Sequence, residues 1–139
     1  MSLNAVFDVA GSAMAAQTVR LNAVSSNIAN MDSVAATPEE VYKPLKPVFV
    51  ADYTNMVNGT EQAAVPVRVA DVIEVKSMAE GRYEPNNPLS NEQGYVYYSG
   101  INVVSEMADM MSATKGFEAN ASVMSNVKSM QQSLLRLWE

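Results

Sequence analysis

The sequence predicts an α+β fold: a long N-terminal and a long C-terminal helix pair antiparallel, in coiled-coil fashion, with a small β-rich insertion between them. Three observations predict it. All six prolines lie between Pro38 and Pro88, leaving both ends free of the residue that helix interiors exclude. Each end carries a four-three apolar repeat sustained over several turns. Period-two alternation and turn-forming clusters occur only in the middle. The chain therefore divides into an N-terminal helix over 1–31, a connector and β-rich domain over 32–100, and a C-terminal helix over 101–139.

In the first helix the repeat runs through Leu3, Phe7, Ala10, Met14, Gln17, Leu21, Val24, Ile28 and Met31, with Gln17 as its polar interruption. A second four-three series, Gly11, Ala15, Thr18, Asn22 and Ser25, is made of small residues and is flanked by Ser12, Ala16, Ala23 and Ser26. Asp8 and Arg20 are the only charged side chains from Met1 to Met31. A two-helix hairpin alone in water would charge its outer face. Small neutral residues instead allow close helix approach and avoid the cost of burying an unpaired charge. Gly11, Ala15, Thr18, Asn22, Ser26, Asn27 and Asn30, with Asn120 on the second helix, are therefore expected to face other subunits. Asn30 is also placed to close the end of the first helix.

From Met31 to Leu45 no period is visible, which predicts an extended connector. "KPVFVADY", "VPVRVADVIEV" and "GYVYYSG" predict three short strands, separated by the turn-rich "VNGTEQ" and "EPNNPLSNEQG". They predict one small antiparallel unit. The second helix repeats the seam through Val103, Met107, Met110, Thr114, Phe117, Ala121 and Met124, after which Val127, Met130, Leu134 and Leu137 shift its phase. The expected intramolecular seam is thus Leu3, Phe7, Met14, Leu21, Val24 and Ile28 against Val103, Met107, Met110, Phe117, Met124 and Leu134. Seams this long, only partly satisfied in a lone chain, predict terminal helices that are labile before assembly and a more stable β unit.

Composition narrows the function. A net charge of -6, with nine scattered basic residues, repels phosphate and argues against nucleic acid. There is no cysteine and no histidine, which removes disulfides, thiolate metal sites and the commonest general base, and no cofactor or metal is expected. The N-terminus lacks a basic n-region, and Asp8 and Gln17 interrupt its apolar residues, so neither a cleavable signal peptide nor membrane insertion is expected. The carboxylates available for catalysis are Asp71, Glu74, Glu80, Glu84 and Glu92. Glu84 and Glu92 could form an acid/base pair of the glycosidase kind. They stand, however, in a loop punctuated by Pro, Asn and Gly, with no periodic element to hold them in relation, and the chain is not expected to be an enzyme.

"SNIAN" at 26–30, preceded by "AQTVRLNAVS", resembles the N-terminal signature of bacterial flagellar rod and hook proteins. "INVVSEMADMMSATKGFEANASVMSNVKSM" at 101–130 resembles the C-terminal helix of the same axial family. "YEPNNPLSNEQGYVYYSGINVV" is similar to the segment preceding that helix in the short proximal-rod members. The resemblance covers both ends and loosens between Met31 and Asn58. It implies a structural subunit of the proximal rod, the driveshaft that carries torque from the rotor to the hook. It also implies export through the flagellar type III apparatus, residence in the periplasm within the basal body, and terminal helices forming an inner tube. The implied partners are copies of itself and rod subunits of the FlgB, FlgF, FliE and FlgG type. A cytoplasmic helical adaptor or export chaperone is the alternative, since it would show similar apolar seams and acidic charge.

Overall fold

The computed structural model describes residues 3–53 and 65–136. Helix α1 spans Leu3–Ala29 and helix α2 spans Val103–Arg136. Between them lie β1 (Val34–Ala35), β2 (Leu45–Ala51), β3 (Val67–Glu74), β4 (Glu80–Tyr83) and β5 (Tyr95–Tyr98). At 1.5 Å per residue the two helices run about 40 Å and about 51 Å. The predicted fold class holds: two long helices pack together with small antiparallel sheets between them.

Side chains close both helix ends that face the β structure. Asn30 Nδ2 donates to the Ser26 carbonyl at 2.8 Å, and Ser33 Oγ donates to the Asn30 carbonyl at 2.7 Å. Among the described residues no non-glycine has a positive φ, so α1 ends on side-chain donors to its last carbonyls and not on a left-handed cap. The buried Ser99 hydroxyl reaches the Met31 carbonyl at 2.8 Å and ties this end to the chain just after β5. At the other junction Asn102 is the N-cap of α2, its Oδ1 accepting from Ser105 N at 3.2 Å.

The helices run antiparallel, for Asn27 meets Glu106, Arg20 meets Asp109, and Gln17 faces Gly116. The buried α2 positions are Glu106, Ala113 and Val127, spaced by multiples of seven, with Met110, Phe117 and Met124 half-buried beside them. The seam keeps the expected heptad but is turned by one residue, from Met107 and Thr114 to Glu106 and Ala113. The reason is close approach. Ala113 is wholly buried, and a Cβ at Gly116 would stand 3.2 Å from Gln17 Nε2, so small residues let the backbones come together where Met or Thr would hold them apart. Met107, 56% exposed, and Leu134, 49% exposed, therefore correct the expectation that both lie within the intramolecular seam. Val103 is half-buried, as are Leu3, Phe7, Met14, Leu21 and Ile28, while Val24 is buried.

Packing along the pair is graded. Ala23, Val24, Asn27 and Glu106 are buried at the end nearest the β structure. Residues 3–9 of α1 include no buried side chain, and 128–136 of α2 are all exposed. The step of fourteen residues from Gln17 back to Leu3 leads on α2 from Gly116 to Met130, so residues 131–136 run past the start of α1. Lability is thus expected to be graded instead of spanning both helices evenly. Amide exchange of the isolated chain should show strong protection over 20–27 and 106–113, fading toward 3–9 and 128–136; uniform protection would contradict the gradient.

The single β unit expected is instead two sheets. One has the order β1-β5-β4, all antiparallel, with Val34 opposite Tyr98 and Gly81 opposite Tyr97. The other is the β2–β3 hairpin, running from Leu45 opposite Glu74 to Ala51 opposite Val67, with a bulge that leaves Ala70 as the extra residue. The predicted strands correspond to β2, β3 and β5. β1 lies in the expected connector, and β4 is exposed at every position, so it offers no alternation to read. The "VNGTEQ" turn and Leu137 lie outside the described residues.

The hairpin lies on α1. Phe49 and Val67 line one small recess with Ala13, Ala16 and Gln17, and Val67 N donates to Ser12 Oγ at 3.1 Å. Part of the small-residue character of α1 is therefore accounted for within the chain: Ala16 is buried where Phe49 and Val67 of the hairpin, not a second subunit, approach.

Candidate functional site

With α2 on one side of α1 and the hairpin on another, a third face remains. It carries Asn4, Asp8, Ala15, Thr18, Asn22, Ser25 and Ala29, all exposed, with Gly11 half-buried and open space around the position its Cβ would take. These eight follow one four-three series along the full helix, and only Asp8 is charged. Thr18 satisfies its hydroxyl on the Met14 carbonyl at 2.9 Å. The face offers a shallow surface of small, mostly neutral side chains with backbone close beneath it, and it carries only one charge to desolvate, which suits the packing of a second helix.

Four other residues expected at subunit contacts are engaged inside the chain. Asn27 is 0% exposed. Its Nδ2 donates to the Leu45 carbonyl and to Glu106 Oε2, both at 3.0 Å, while its Oδ1 accepts from Leu45 N at 2.7 Å and from the Tyr42 hydroxyl at 3.1 Å. Two donors and two acceptor positions are all filled, which corrects the expectation that this amide bonds across subunits. Ser26 Oγ pairs with the Tyr42 hydroxyl at 3.0 Å, and Asn30 caps its own helix. Asn120 is half-buried and donates to the Gly116 carbonyl one turn back, at 2.8 Å.

Sequence reasoning passed over Glu106 and the ion cluster beside it. Arg20 Nη2 contacts Asp109 Oδ1 at 2.6 Å, and Lys46 Nζ approaches Asp109 Oδ2 at 3.5 Å. A signal was present, since Arg20 is the one basic residue in an otherwise nearly uncharged helix and so invites a search for an acid on the facing element. The hydrogen bond from Arg20 holds the Asp109 carboxyl below its ordinary value, with the charges of Arg20 and Lys46 adding and partial burial opposing. A carboxyl lowered in the folded state stabilises the fold above its unfolded value, and that contribution is lost as pH falls through the lowered value. Acidification from neutrality to below about pH 4 should therefore lower the urea midpoint more in the native chain than in Asp109→Asn. Equal acid sensitivity of the two proteins would rule this contribution out.

The carboxylates considered for catalysis are structural or exposed. Glu84 Oε1 accepts from the Tyr98 hydroxyl at 3.1 Å and its Oε2 from Asn87 Nδ2 at 3.0 Å. That hydrogen bond raises the Tyr98 pKa. Asn91 Oδ1 accepts from Gln93 N and Tyr95 N, and Gly94 turns with φ 78°, so 84–94 is an internally braced loop between β4 and β5. Glu92 is exposed on it. Among the described residues there is no group of three or more acidic side chains that could hold a metal ion, and no helix is long and apolar enough to cross a membrane.

The outside of α2 is apolar at both ends. Val104, Met107 and Met111 are exposed near its start, and Met130, Leu134 and Leu135 near its end. Between them Lys115 and Glu118 form a surface ion pair at 2.7 Å, which contributes little to stability at such exposure.

Comparison with known proteins gives this geometry a family. Residues 7–36 match the family model described as flagella basal body rod protein, and residues 92–137 match that of the flagellar basal body rod FlgEFG protein C-terminal region. The chain is 42% identical to the flagellar basal-body rod protein FlgC of Salmonella typhimurium over 99% of its own length and 98% of the relative's. It is 43% identical to FlgC of Escherichia coli O6:H1, with the same coverage. To FlgC of Borreliella burgdorferi it is 35% identical, again over 99% of this chain and 98% of that one.

Proposed function

The chain belongs to the FlgC family of flagellar basal-body rod proteins, and on that premise we propose how it serves as a rod subunit. It is a structural subunit of the proximal rod and not an enzyme. One observation carries the assembly reading: the third face of α1, from Asn4 to Ala29, stays exposed and almost uncharged after the chain's own α2 and β2–β3 hairpin have covered the other faces. In the rod this face is covered by helices of neighbouring subunits. The exposed ends of α2, Val104, Met107 and Met111 at one and Met130, Leu134 and Leu135 at the other, are further places where neighbours gain apolar burial.

The neighbours are copies of this chain and rod subunits of the FlgB, FlgF, FliE and FlgG type. The subunit passes through the flagellar type III apparatus and takes its place in the periplasmic part of the basal body, where the helix pairs form the inner tube and the β sheets face outward. Close packing of long helices in several directions lets the assembly carry torque from rotor to hook. Basal bodies purified from cells whose only copy of this protein is the present chain should contain it, and those cells should swim. Recovery in the cytosol alone would instead favour a helical adaptor.

A further inference from the structure

We propose that Asn27 and Asp109 are two pins of a torsional lock that fixes the β2–β3 hairpin in one orientation on the helix pair. Both residues join the same three elements. Asn27 on α1 holds Tyr42 and Leu45 at the entry to β2 and Glu106 on α2; Asp109 on α2 holds Arg20 on α1 and Lys46 on β2. The pins sit at consecutive β2 residues, 45 and 46, and at positions 27 and 20 of α1 and 106 and 109 of α2. One point of attachment is a pivot, about which a two-stranded hairpin can still swing. A second point, displaced along the helices, limits the swing to rotation about the line joining the two, and the Val67 N–Ser12 Oγ bond at the other end of the β2–β3 ladder opposes that remaining rotation.

The chemistry of the two pins differs. The Asn27 amide is fully buried and saturated, and breaking its bond to Glu106 strands a buried carboxylate. The Asp109 cluster is partly exposed, with side-chain exposure of 27% at Arg20, 30% at Asp109 and 49% at Lys46; salt therefore screens it. The lock has one pin insensitive to ionic strength and one that yields to it. It rests on the rod reading in one respect, that load applied to the β structure of a rod subunit must reach both helices without the hairpin rotating.

The chain has no cysteine, so two spin labels can be placed without removing any native residue. Labels at Ala70→Cys on β3 and Ser112→Cys on α2, both exposed positions, report the hairpin-to-helix distance. The native background should give one narrow distribution, and so should Glu106→Gln, which still presents an oxygen to Asn27 Nδ2. Tyr42→Phe with Lys46→Met takes one β2-side contact from each pin and leaves both helices intact; it should broaden the distribution at unchanged helical circular dichroism. The same variant should raise the Leu45 amide exchange rate, by up to about tenfold for one weakened hydrogen bond. Asn27→Ala with Asp109→Ala should broaden it further. A distribution that stays narrow in Tyr42→Phe/Lys46→Met, or that broadens equally in Glu106→Gln, overturns the lock. In cells, normal recovery of Tyr42→Phe/Lys46→Met with basal bodies and slower swimming under viscous load supports the load path. Normal swimming at every load overturns that path, whereas absence of the native chain from basal bodies overturns the rod reading instead.

Discussion

Asn27→Leu is expected to lower the unfolding free energy of the isolated chain by about 3–5 kcal/mol, the range for stripping a partner from a buried charged or fully hydrogen-bonded group. Leucine has the branching of asparagine and suits a helix, so propensity does not explain a loss of that scale, while its bulkier methyl groups add crowding where the amide sat within hydrogen-bond distance. The larger part comes from what is left behind. Glu106, 5% exposed, loses the amide that donates to its Oε2, and the Leu45 N–H and carbonyl lose their partners together. The Tyr42 hydroxyl keeps only Ser26. Glu106→Leu in the Asn27→Leu background should recover part of the loss, because two apolar groups facing each other no longer strand a carboxylate. Urea denaturation of the single and double variants measures the coupling directly. A single-variant loss below about 1 kcal/mol, no more than that of an average point substitution, would show that the network contributes little.

Ala15→Glu is expected to have the opposite signature: almost no effect on the chain and a complete effect on the rod. Ala15 is exposed in the middle of the open face of α1, and glutamate is a good helix former, so melting and circular dichroism should change by no more than about 0.5 kcal/mol. Once a neighbouring helix covers the face, the carboxylate loses water and finds no designated cation, at a cost of several kcal/mol per subunit. Basal bodies should lack the variant and the cells should not swim, whereas Ala15→Ser, equally small and neutral, should keep both. Normal swimming by Ala15→Glu cells would mean that no helix covers this face in the rod.

Both variants trace to features of different legibility. The helix pair and its heptads were readable because long apolar periods and the confinement of proline are properties of whole segments. The strands β2, β3 and β5 were readable from alternation or aromatic runs, whereas β4, exposed along its length, carries no buried face to announce it. The neutrality of α1 was visible, but its division between two causes was not. Ala16 lies under the hairpin, and Ala15, Thr18 and Asn22 remain outside that contact. Nothing local separates neighbours in such a series, since the difference depends on which side a segment some fifty residues away returns to, as Val67 does to Ser12. The same limit hid Asn27. An asparagine on a helix looks like a surface residue until Tyr42, Leu45 and Glu106 are brought around it.

The contacts that close the helix pair also set a timetable. Arg20 and Asp109 are separated by 89 residues, and Asn27 and Glu106 by 79, so these bonds are among the most distant in the chain and carry the largest loop-closure entropy. The β4–β5 hairpin and the caps of each helix need only nearby residues. Sequence separation alone therefore makes the pairing of the two helices the last step of folding, completed after the local hairpin and caps have formed.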